Sequence, residues 1–159
     1  MISARLFSRR SFLRRVTLAV AGLAGVSVLG RPRARAAAAT TSGDEPSEQV
    51  KKVLRELFGD RPIRAGHVQL DVPEEAPDGR VVPVFVESDL PMTPADHVKA
   101  IHLLVDKNPD IHVASFELTP ALGRAAIDTR IKMRATSPVR AIVETSGGDV
   151  WWSVKKVLR

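Results

Sequence analysis

The hydrophobic pattern changes character twice along the chain. From Val16 to Leu29 the residues are nearly all apolar or small, rich in Ala, Gly and Val. That run is about 14 residues long, short of the roughly 20 that a membrane-spanning helix needs. From Val50 the apolar residues recur at helical spacing: Val50, Val53, Leu54, Leu57 and Phe58. This predicts one amphipathic helix with Lys51, Lys52, Arg55 and Glu56 on its wet face. Asp44 or Ser47 can cap it, Pro46 suits its first turn, and Gly59 can end it. Such a helix packs on its own domain or docks on a partner.

After Asp60 the period becomes two. Val68, Leu70 and Val72 alternate with His67, Gln69 and Asp71, and Val82, Val84 and Val86 form the next set. Further strands are expected over 98–105, 111–118, 125–133, 139–145 and 150–158. Turns rich in Pro, Gly, Asn and Asp separate them, such as Lys107-Asn108-Pro109-Asp110 and Ser146-Gly147-Gly148-Asp149. Seven short strands at this spacing predict a mainly β fold, an immunoglobulin-like antiparallel β-sandwich with one N-terminal amphipathic helix.

The flanks of the first apolar run change its meaning. It is preceded by Ser8-Arg9-Arg10-Ser11-Phe12-Leu13-Arg14, close to the Ser-Arg-Arg-x-Phe-Leu-Lys pattern of twin-arginine export signals. Ala34-Arg35-Ala36 fits a small-residue cleavage site, with the cut expected after Ala36. An organelle transit peptide would be amphipathic, which this unbroken core is not. The expected organisation is a signal peptide over 1–36, a linker over 37–44 and one domain over 45–159. The expected location is the periplasm, with membrane contact only during export.

Removing the leader reverses the charge. The chain carries 24 Lys and Arg against 18 Asp and Glu. Eight of the basic residues and none of the acidic ones lie in residues 1–36, which leaves 16 against 18, a net of −2. The balance gives no support for a nucleic-acid partner. There is no cysteine, so disulfides, a Cys nucleophile and thiolate metal sites are excluded within this sequence.

Little in the rest points to catalysis. His97 and His102 are five apart and would face opposite sides of a strand, while His67 and His112 sit on other strands. All four are expected to face solvent, and no metal or cofactor is expected. Glu74, Glu75 and Asp78 read as a solvated loop ending at Gly79. Trp151 and Trp152 are adjacent in one strand, so they point to opposite faces. Val150, Trp152 and Val154 would share the core side, leaving Trp151 as a candidate interface residue unless the helix covers it.

An ordered set of short segments resembles one known family. Pro91-Met92-Thr93 precedes Val98-Lys99-Ala100-Ile101-His102; then come Asp106-Lys107-Asn108-Pro109, Val113-Ala114-Ser115-Phe116, Thr119-Pro120 and Thr129-Arg130-Ile131. The series is similar to SoxY, the sulfur-carrier subunit of the periplasmic thiosulfate-oxidising Sox system, from about Pro46 to Lys156. The resemblance implies an immunoglobulin-like sandwich forming a heterodimer with SoxZ, a second β-sandwich, and meeting other Sox proteins. It also implies a C-terminal Gly-Gly-Cys-Gly-Gly arm whose thiolate holds sulfur. This sequence ends at Val154-Lys155-Lys156-Val157-Leu158-Arg159 without that arm. The expectation is therefore a SoxY-like carrier or binding subunit, not an enzyme, without the sulfur-binding Cys. Either an arm has been lost by truncation or frameshift, or the chain is an armless paralogue. The alternatives are a non-catalytic periplasmic interaction module, or a SoxYZ-like protein associated with a quinoprotein dehydrogenase.

Overall fold

A computed structural model describes residues 45–159. Its first element is a helix, α1 (Glu48–Phe58). Ser47 caps it by accepting the Val50 amide at 3.4 Å, and Gly59 ends it with a positive φ of 63°. A residue with a Cβ would be strained there. Eight strands follow: β1 (Ile63–Ala65), β2 (Val68–Asp71), β3 (Val82–Ser88), β4 (Val98–Val105), β5 (His112–Glu117), β6 (Ala125–Ile131), β7 (Ser137–Thr145) and β8 (Val150–Val157). A 3-10 turn, Pro120–Leu122, links β5 to β6.

The strands form two packed sheets. One has the order β1-β8-β7-β4-β5, the other β2-β3-β6. All pairs are antiparallel except β1 with β8, which run parallel. The fold is an immunoglobulin-like β-sandwich with an N-terminal helix, as the alternation predicts. The eighth strand is the difference. β1 is three residues long and pairs with a strand far along the chain, so it has no local pattern to read.

Alternation sets the core. Val82, Val84 and Val86 of β3 meet Ile101, Leu103 and Val105 of β4 and Val139, Ala141 and Val143 of β7 between the sheets. The opposite face of the larger sheet is also buried, because α1 lies on it. Val50, Leu54 and Phe58 pack against Leu104, Ile142 and Val150, with Trp152 beside them. The helix therefore packs on its own domain. Every residue of β7 is buried, since the strand is covered on both faces. The turn after β4 is fixed by Asn108, whose amide donates to Lys132 O at 2.7 Å and whose carbonyl accepts from Arg134 N at 3.1 Å.

Candidate functional site

Period two in β7 points Arg140, Ile142 and Glu144 away from the sandwich core and toward the helix. Two polar residues are thus buried where a strand would ordinarily meet water. Arg140 is fully buried. Its Nε and Nη2 donate to the two carboxylate oxygens of Asp106 at 2.8 and 2.7 Å. Its guanidinium also lies 5.2 Å from the ring centre of Trp152. The bidentate geometry and the ring face compensate for desolvation of the charge.

Glu144 gathers the second group. Its Oε1 accepts from Arg61 at 2.6 Å and from Lys99 at 3.0 Å. Burial pulls its carboxyl upward, but the hydrogen bonds from these two cations outweigh that and hold it below the usual carboxylate range. Arg61 also donates to Phe58 O at 2.9 Å, which ties the helix end to β7. Next to Glu144, His102 lies under the Phe58 ring at 5.2 Å, edge to face. Its Nδ1 is 3.3 Å from Nε2 of His112, and its Nε2 is 3.9 Å from Glu144. Burial, followed by the nearby His112, pushes the His102 imidazole below its ordinary value.

The histidine expectation is corrected here. His102 is only 9% exposed, because α1 covers the face that alternation alone assigns to solvent. His67 does remain partly exposed, bonded to Asp89 at 2.7 Å in a left-handed conformation with φ of 56°. Among the described residues no group of three or more His, Cys, Asp or Glu is placed to hold a metal ion.

Trp151 and Trp152 face opposite sides, as expected. Trp152 is the one that meets the helix cluster. Trp151 is half-buried by its own chain: Arg64 lies 5.0 Å over its ring, His67 meets it edge to face at 4.5 Å, and Gly66 approaches it. Arg9, Arg10, Ala36 and the 37–44 linker lie outside the described residues. The loop at Glu74, Glu75 and Asp78 carries out a structural task. Leu158 N donates to Glu74 O, Ala76 N donates to Leu158 O, and Met133 N donates to Gly79 O. The end of β8 is held there, with Arg159 reaching Arg134 O and bonding Thr136. Arg61, Lys99, Asp106, Arg140 and Glu144 were not legible as a group. The available signal was two charged residues, Arg140 and Glu144, among the apolar residues between Ser137 and Thr145 of β7.

The family model described as "Sulfur oxidation protein SoxY" matches residues 54–158, about two thirds of the chain. The structure of the sulfur carrier protein SoxY from Chlorobium limicola f thiosulfatophilum is similar at 27% identity and a TM-score of 0.58. That match covers 68% of this chain and 89% of the other. A superoxide reductase (neelaredoxin) from Ignicoccus hospitalis shares the fold at 15% identity and a TM-score of 0.53, over 58% and 80% of the two chains. No curated protein matches the sequence.

Proposed function

The chain belongs to the SoxY family, and from that premise we propose that it is a SoxY-type carrier subunit acting in the periplasm beside a SoxZ-like sandwich. The family match carries this reading, because residues 54–158 include every strand of both sheets and the packing end of α1. It is a carrier or binding subunit, not an enzyme. The sequence contains no cysteine, so these 159 residues supply no thiolate on which sulfur could be held. What they supply is the scaffold: a rigid sandwich, a helix locked by Arg61 and Glu144, and a firmly held end of β8. The leader with Arg9 and Arg10 supports export by the twin-arginine route, in which a cysteine-free domain arrives already folded.

Intact mass tests the absence of covalent carriage. The purified chain is incubated with thiosulfate and the oxidising Sox proteins. An unchanged mass is expected. A sulfur increment that a reductant removes would overturn the reading.

A further inference from the structure

The helix α1 is attached to the sandwich differently from every strand. Among the described residues no backbone hydrogen bond joins it to a sheet. Its ion pairs, Lys51 with Glu48 and Lys52 with Glu56, stay within the helix. Two things hold it down. One is the apolar stripe of Val50, Leu54 and Phe58. The other is a polar clasp at its C-terminal end, where Arg61 spans Phe58 O and Glu144. An element held by side chains alone can leave without breaking the sheets.

The clasp sits on a titratable floor. The Phe58 ring covers His102, which is buried, and its Nε2 has no hydrogen-bond partner. Every element around that imidazole brings a charge-bearing group. β4 supplies Lys99, β5 supplies His112, the segment after α1 supplies Arg61, and β7 supplies Glu144. Arg140, on the same face of β7, is already matched by Asp106. Glu144 is therefore the one carboxylate facing His102 in this group, and its Oε1 already accepts from Arg61 and Lys99. His102 Nδ1 lies 3.3 Å from His112 Nε2, a contact that works only while one nitrogen donates and the other accepts. When both rings are charged, two N–H donors point at each other there. Neither water nor a second carboxylate reaches His102 until the Phe58 ring lifts.

We propose that α1 is an acid-released latch: charging His102 and His112 frees Phe58 and Arg61 from the sheet while the sandwich stays folded, uncovering Leu104, Ile142, Val150 and Trp152. The docked state resists the protons that the released state accepts, so acid moves the equilibrium toward release. The sandwich stays folded because its core, with Val84, Leu103 and Ala141 between the sheets, contains none of these titrating groups. The latch rests on α1 and its floor and is independent of the SoxZ-like reading.

Hydrogen exchange of the purified chain, corrected for the intrinsic effect of pH on exchange, is compared at about pH 7.5 and about pH 5.5. Amides of α1 should exchange about tenfold faster at the lower pH, while those of β4 and β7 keep their protection. His102→Gln should abolish the difference. His112→Gln, on a half-buried side chain, should reduce it. Equal protection of α1 at both pH values overturns the proposal. So does loss of protection in α1 and β7 together, which is global unfolding, or a difference that both substitutions leave unchanged.

Discussion

Arg140 and Asp106 meet through two hydrogen bonds, at 2.8 and 2.7 Å, with the guanidinium wholly buried between β7 and the helix layer. Removing one partner leaves the other charge buried and unmatched. Arg140→Ala is expected to cost about 3–5 kcal/mol in urea unfolding. The double variant Arg140→Met, Asp106→Leu should recover much of that loss, because an apolar pair brings no charge to desolvate. Arg140→Lys should not rescue, since an ammonium cannot make the fork.

His102 makes stability depend on pH. Its imidazole is held below its ordinary value by burial, so the folded protein resists a proton that the unfolded chain accepts. The unfolded chain then binds more protons, and stability falls as pH drops below about 6.5 toward the lower folded value. Among the groups around it, His112 once charged, Lys99 and Arg61 also oppose a second proton, and Glu144 opposes them by favouring it. Thermal melts between neutral pH and pH 5 should show the decline, and His102→Gln should flatten it. A wild-type slope unchanged by that substitution would remove His102 as the cause.

Glu144 acts in a lower window. Its carboxyl is held below the usual range, so it adds stability above the unfolded value, about 4.3, which is lost as pH falls through the folded one. Glu144→Gln should remove that acid-range component. It should also loosen the end of α1, where Arg61 spans Phe58 O and Glu144. Hydrogen exchange at Gly59 and Arg61 is the readout, with faster exchange expected in the variant.

Two glycines give a matched comparison. A Cβ on Gly79 would overlap Met133 O and the Arg159 side chain, and the Met133 backbone, whose amide donates to Gly79 O, cannot move away cheaply. Gly79→Ala is expected to destabilise by about 1–3 kcal/mol. At Gly147 the nearest atom is the Thr145 hydroxyl at 3.8 Å, so Gly147→Ala should be nearly neutral. Equal effects in chemical denaturation would contradict the loop packing around the end of β8.

What could be read from the sequence depended on the range of the interaction. The helix and its caps follow from residues within one or two turns, and α1 starts and stops as Ser47 and Gly59 predict. Strand alternation placed Trp152 on one face and Trp151 on the other. It could not show that a helix would bury His102 or Glu144, because Arg61 and Glu144 meet across 83 residues of sequence. β1 escaped for the same reason. Three residues carry no period, and their pairing to β8 is the only thing that makes them a strand.

The central claim is that this chain is a SoxY-type subunit that pairs with a SoxZ-like sandwich. Co-export of this chain with a SoxZ protein, followed by native mass measurement of the periplasmic fraction, tests it most directly. The account predicts a one-to-one heterodimer. A chain that never appears with SoxZ, while SoxZ is present and folded beside it, would contradict the account.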